Sequence, residues 1–195
     1  MCRGNRVFLL GLATSLLGWI LLAGILAGPA SADQTDPKLD ELFSALKTTP
    51  SKESAAQIQQ EIWQRWTAFD ADEKINTQMQ VGVQMMNAGA LQRAEKWFGE
   101  MTETVPDFAE VWNKRATVRF MIGNFAGSKS DIARVLQLEP RHFGALSGLG
   151  MIHMHEENLQ GALLAYRAAD EQNPHMDQVK TMIIALQDKL KGEPL

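Results

Sequence analysis

AEVWNKRATVRFMIGNFAGSKSDIARVLQLEPRH, residues 109–142, is the stretch that decides the fold. Its Pro140 lies 34 residues after Pro106 and 34 before Pro174. Sliding the chain on itself by the same interval aligns Gly82, Ala116 and Gly150, then Ala94, Ser128 and Ala162. Larger side chains keep the register too: Phe98, Ile132 and Tyr166, followed by Met101, Val135 and Ala169. Small residues let two antiparallel helices approach closely, and a bulky residue one turn later fills the space beside them. Proline ends the second helix because it lacks an amide proton and clashes with the preceding turn. A period of this length is the signature of a stacked helical repeat.

The pattern predicts helices over 75–87 and 91–104, 109–122 and 126–137, and 142–156 and 159–172. Asn87-Ala88-Gly89, Gly123-Asn124 and Glu157-Asn158 mark the turns, at residue types that tolerate the left-handed conformation closing a helix. Downstream, MDQVKTMIIALQDKL (176–190) places Val179, Ile183, Leu186 and Leu190 on one face, as an end cap needs. Upstream, Leu39, Leu42, Phe43 and Leu46 give one apolar stripe and Ile58, Ile62, Trp63 and Trp66 another. Shifting Gly82 back by one period reaches Thr48, beside Pro50, so the register is lost there. Residues 33–74 therefore read as a degenerate helical pair that packs on the stack, joined to it by the polar turn Asp70-Ala71-Asp72-Glu73. Acids at that turn favour the helix that starts beside it.

These residues resemble the tetratricopeptide repeat, with three units over 75–108, 109–142 and 143–174 and a capping helix and tail over 175–195. Trp112 stands at an early aromatic position of the second unit. Ser128 in place of the usual alanine, and Met85, Arg119 and His153 where tyrosine is common, depart from the pattern. The resemblance implies an all-α solenoid, a right-handed superhelix whose first helices line a concave groove. It assigns Asn76, Met79, Val83, Met86 and Asn87 of the first unit to that groove. The second unit supplies Glu110, Asn113, Thr117, Phe120 and Met121, and the third Gly144, Ser147, Met151, Met154 and His155. The groove so drawn is apolar, methionine-rich and nearly uncharged. Some relatives hold a partner's terminal carboxylate with Lys, Arg and Asn, and here Lys114 is the only basic residue near such a position.

Residues 1–32 read as an export signal. Arg3 and Arg6 precede the uncharged run Val7–Ala27, and Gly28-Pro29-Ala30-Ser31-Ala32 offers small residues in an A-x-A arrangement. The alternative is an uncleaved inner-membrane anchor, since such a run can span about 30 Å of hydrocarbon. Thr14, Ser15 and three glycines within the run weigh against it. Cleavage removes Cys2, the single cysteine, and leaves no disulfide, thiol nucleophile or thiolate metal site. The expected location is periplasmic or secreted.

Composition narrows the chemistry. Of 195 residues, 45% are hydrophobic and 22% charged, as in ordinary globular proteins. A formal charge of −4 with no basic block argues against a nucleic-acid partner. His153 and His155 stand two apart, on different faces of a helix, so they do not share a metal ion, and the H-E-x-x-H spacing is missing. His153 instead reads as a hydrogen-bonded core residue. Ser147-Gly148-Leu149-Gly150 falls inside a helix at close-packing positions rather than in a phosphate loop. Arg115 faces the neighbouring helix, where an ion pair within the stack competes with an acidic partner. The carboxylate pairs Asp70/Asp72 and Glu156/Glu157 sit at turns, where acids are usually solvated.

The sequence therefore points to no catalytic residue, no cofactor and no metal. It predicts a non-enzymatic scaffold or adaptor binding a helix or apolar peptide of a protein partner. The stretch Pro106–Gly150, with its LEPRHFGAL (138–146), resembles small exported repeat proteins of proteobacteria, which implies the bacterial envelope. The rival readings are a holdase-type chaperone, a homo-oligomer built through the same groove, a groove covered by the chain's own terminal helices and, most distant, an enzyme with an unrecognised site.

Overall fold

The computed structural model describes residue 34 and residues 36–69 and 72–191. The proposed signal (residues 1–32), Asp70-Ala71 of the polar turn and the tail after Lys191 lie outside the described residues. Among those described there are nine helices and no strand. The chain opens with α1 (Lys38–Thr48) and α2 (Lys52–Thr67). Three repeat pairs follow: α3 (Glu73–Asn87) with α4 (Leu91–Thr104), α5 (Ala109–Met121) with α6 (Phe125–Leu138), and α7 (Phe143–His155) with α8 (Leu159–Gln172). Helix α9 (Asp177–Lys191) closes the stack against α8.

The small-and-large alternation has a direct geometric cause. A β-carbon built at Gly82 would lie 2.5 Å from Phe98 Cε1, and one at Gly150 would lie 2.7 Å from Tyr166 Cε1. Both rings are buried, so the first and third pairs close only over a glycine. The departures have their own partners. Ser128, also buried, donates its hydroxyl to the Ala116 carbonyl at 2.7 Å. Arg119 pairs with Asp131 and Glu95, and Arg115 forks onto both carboxylate oxygens of Asp131 at 2.7 and 2.9 Å. Asp131 is only 1% exposed, and the two guanidiniums satisfy it between α5 and α6. The Arg115 ion pair thus lies within the stack.

The turns repeat as closely as the packing does. Gly89, Gly123 and Glu157, one period apart, all have positive φ (74°, 80° and 56°). At each, the next amide reaches back to the carbonyl five residues earlier: Ala90 to Met85, Asn124 to Arg119, Asn158 to His153, at 2.8–2.9 Å. This is the Schellman closure of a helix. Asn124 and Asn158 then cap the second helices, accepting from the Gly127 and Gly161 amides at 3.0 and 2.9 Å. His153 is only partly buried, with Nδ1 3.4 Å from both Asn158 Nδ2 and a Glu156 carboxylate oxygen. It is a turn-closing residue of the helix end rather than a core histidine, because the register places it in the last turn of α7.

The α1–α2 hairpin does not extend the stack ahead of α3. Helix α2 barely touches α3, and a cleft of about 740 Å³ lies between them. Instead α2 packs on α5 and α1 on α8. The hairpin core of Leu39, Phe43, Leu46, Ile62 and Trp66 encloses Phe143, the first residue of α7. Polar contacts run along the same seam: Arg141 to Asp40, Gln59 to Asn173, the His175 ring to the Leu46 carbonyl, and Lys52 to Asp177. A pair of helices too small to hold a core of its own thus bridges the second and third repeats and the closing helix.

Candidate functional site: the concave groove

Helices α3, α5, α7 and α9 offer the faces that would line a groove, and the hairpin occupies one edge of it. Trp63 lies over Gly144: a β-carbon there would stand 2.9 Å from Trp63 Cη2. Trp66 stacks on His142, with centroids 4.2 Å apart and planes 8° off parallel. The His142 ring caps α7 by accepting the Ala145 amide at Nδ1, 3.1 Å away. That acceptance assigns the ring hydrogen to Nε2, which donates to Glu110 Oε2 at 3.1 Å.

Glu110 is fully buried at the centre of this seat. It accepts from Asn113 at 3.0 Å and pairs with Lys114 at 2.6 Å, and Lys114 also lies over the Trp63 ring. Burial pushes the carboxyl upward, but the Lys114 charge and the His142 bond outweigh it and hold the group below its ordinary range. Lys114 is therefore committed to the hairpin seat rather than free for a partner's carboxylate.

Three regions of the concave side stay open. The cleft between α2 and α3 is amide-rich, lined by Gln64, Asn76, Gln80 and Gln84 together with Met79, Val83 and Lys114. Between α5 and α7 lies a cavity of about 220 Å³ that includes Asn113, Thr117, Phe120, Gly144, Gly148 and Met151. A larger one of about 630 Å³ opens between α7 and α9, lined by Met151, Tyr166, Val179, Thr181 and Met182 among others. The two cavities share Ser147, Met151 and Met176, so they form one trough. Its single charged lining residue is Asp177, whose carboxyl is held low by the Lys52 ammonium.

The residues expected in the groove divide accordingly. Thr117 and Met151 are exposed and Phe120 half-buried, and all three line the α5–α7 cavity. Met121 is 51% exposed but lines neither cavity of the trough. His155 stacks on Phe125 and meets Phe120 edge-on, forming an aromatic corner. Met79 is buried in the first-repeat core, with Val83 and Met86 packed against the same cluster. Asn113 is buried and donates to Glu110, while Met154 packs with the α8–α9 core. Of these five, Met79 and Val83 still border the α2–α3 cleft and Asn113 the α5–α7 cavity, whereas Met86 and Met154 line none of the three open regions.

Met176, Met182 and Tyr166 belong to the trough and were not among the expected residues. The signal for two of them was available: one further period from Phe143 is Asp177, so α9 continues the register as a first helix. No group of three His, Cys, Asp or Glu able to hold a metal occurs among the described residues. No helix among them is long and apolar enough to cross a membrane.

A TPR repeat-containing protein of Rhizobium etli is 36% identical over 155 residues, covering 80% of this chain and 76% of the relative. No family model matches. The first TPR of Spaghetti (RPAP3), solved bound to the HSP90 peptide SRMEEVD, superposes with a TM-score of 0.59 at 17% identity. It covers 64% of this chain and 100% of its own. MamA of Desulfovibrio magneticus superposes at 0.55 with 17% identity, over 83% of this chain and 88% of its own. The two structures share the fold, and the curated relative places the chain by sequence. With the 34-residue register and its close-packed glycines, they establish that this chain belongs to the TPR repeat-containing proteins.

Proposed function

We propose that this protein is a non-enzymatic scaffold of the bacterial envelope that receives an apolar helix or peptide of a protein partner in the α5–α7–α9 trough. The observation that carries this reading is the trough itself: two joined cavities, lined by flexible methionines and small residues, that the chain's own hairpin leaves open. Methionine adapts to varied apolar shapes, and the small residues Ser147 and Gly148 let a partner backbone approach α7 closely. An acidic peptide such as the SRMEEVD bound to RPAP3 fits poorly, since no cation lines the trough and Lys114 is tied to Glu110. Export rests on the charged start, apolar run and small-residue end of residues 1–32.

The test is photo-crosslinking in living cells from a reactive residue at Thr117, which is exposed and lines the trough. One dominant hetero-adduct is the expected result. A smear of many chains would favour the holdase reading, and a homodimer adduct the self-association reading. Absence of any adduct from position 117, with strong adducts from the convex Leu164, would remove the trough as the site.

A further inference from the structure

Met151 is the hinge of the trough: it lines both cavities, and it is 43% exposed. The single cysteine of the chain lies outside the described residues, so the sulfur of this fold is all thioether. Exposure sorts those thioethers. Met121 and Met151 stand open, while Met79 and Met101 are 5% and 3% exposed. Two hydroxyls, of Ser147 and Tyr166, line the same α7–α9 cavity as Met151. Both are hydrogen-bond donors at the wall that Met151 shares.

We propose that Met151 is an oxidation switch of the trough, its sulfoxide closing the cavities to apolar ligands. This rests on the trough being the binding site. The chemistry needs only a hydroperoxide. The thioether sulfur attacks the outer peroxide oxygen, an S–O bond forms as the O–O bond breaks, and the departing oxygen takes the proton and leaves as water or an alcohol. Sulfur is oxidised by two electrons and the peroxide reduced by two. The product carries a strong acceptor where an apolar group stood. The hydroxyls of Tyr166 and Ser147, which line the same cavity, can donate to that oxygen and favour the oxidised side chain inside it. A flexible apolar wall thereby becomes a polar plug. Sulfoxide reductases reverse the step, one for each epimer.

The test uses the whole described chain and the neutral dye N-phenyl-1-naphthylamine as a probe of the trough. Limiting hydrogen peroxide, followed by peptide mass mapping, should oxidise Met151 and Met121 at least ten times faster than Met79 and Met101. Dye affinity should then fall at least fivefold in the wild type and in Met121→Leu, and recover with the two reductases. Met151→Leu should bind dye as the reduced wild type does and stay insensitive to peroxide. In Tyr166→Phe, which lacks the donor, the loss on oxidation should shrink. Dye binding that survives complete oxidation of Met151 would overturn the switch while leaving the trough intact. Failure of the reduced protein to bind dye would sink both readings together.

Discussion

Two glycines in one helix should respond to the same substitution with opposite sign. In a solvated helix interior, Gly→Ala gains about 1 kcal/mol from reduced backbone entropy. At Gly148 the added methyl would stand 3.7 Å from Ile132 Cδ1, an ordinary contact, so Gly148→Ala should stabilise by roughly 1 kcal/mol. At Gly150 the same methyl meets Tyr166 Cε1 at 2.7 Å and Cδ1 and Cζ at 2.8 Å. Carbon atoms rest at about 3.5–4.0 Å, so the ring or the helix must move by roughly 0.8 Å. The ring is 3% exposed and packed between α7 and α8, which leaves it no rotamer to retreat into. Overpacking of this kind costs about 1–3 kcal/mol, and three ring atoms in collision put it near the upper end. Subtracting the helical gain leaves Gly150→Ala roughly 2 kcal/mol less stable than wild type, and about 3 kcal/mol below Gly148→Ala. Urea unfolding followed by circular dichroism reads this as a midpoint gap on the order of 1.5 M, for a slope of about 2 kcal/mol/M. Gly150→Ala melting at or above the wild type would refute the close approach of α7 and α8, and with it the packing reason for the repeat register.

Other consequences follow from particular residues. Glu157 holds the positive φ that Gly123 and Gly89 hold one and two periods earlier, so Glu157→Gly should stabilise by about 0.5–1 kcal/mol and raise the melting temperature by roughly 2–3 °C. Trp66→Ala should cost about 3–5 kcal/mol by emptying the hairpin seat on His142, and near-ultraviolet dichroism should report the loss of its fixed ring environment. Trp66→Phe should cost far less, because the buried indole nitrogen has no hydrogen-bond partner to lose. Glu110 has its pKa held below the ordinary glutamate value of 4.5, so its contribution is present above that pH and is lost as the pH falls through the lowered folded value. Glu110→Gln should therefore lower stability at pH 7 by about 3 kcal/mol and remove that part of the slope below pH 4.5, as read by urea unfolding at stepped pH.

Much of the solenoid was legible because its physics is local and periodic. Pro106, Pro140 and Pro174 end helices through their own rings, and Gly82 and Gly150 pair with Phe98 and Tyr166 within a single helix hairpin. Such relations recur at fixed spacing, so the chain compared with itself exposes them. Helix α3 starts at Glu73, two residues before the expected boundary, because the Asp72 side chain takes the Lys74 amide at 2.8 Å. The position of the α1–α2 hairpin was not legible. Its contacts join Asp40 to Arg141, Leu46 to His175 and Trp66 to His142, each made once and at separations no period predicts.

That single non-repeating contact set decides how the groove should be read. Repeat positions assign Met79, Asn113 and Met154 to a ligand-facing surface, but position in a helix gives only a direction, not what lies in that direction. Burial at Asn113 comes from Glu110, which the hairpin seat holds in place through His142 and Lys114. Exposure at Met151 comes from the opposite circumstance: the hairpin stops at Trp63 over Gly144, two turns short of it along α7. The methionine-lined trough therefore lies toward α7 and α9, where Met176 and Met182 join it, and only the amide-rich cleft remains open at the first repeat. A truncation starting at residue 72 makes the argument testable. Without the hairpin, Phe143 and His142 become exposed along with Gly144, and the trough should lengthen toward the N-terminal ends of α5 and α7. Dye binding to such a chain should at least double in stoichiometry, provided circular dichroism shows the repeats still helical. An unchanged stoichiometry on a folded truncation would mean that the hairpin does not limit the groove, and that the surface assigned from repeat positions stands as first drawn.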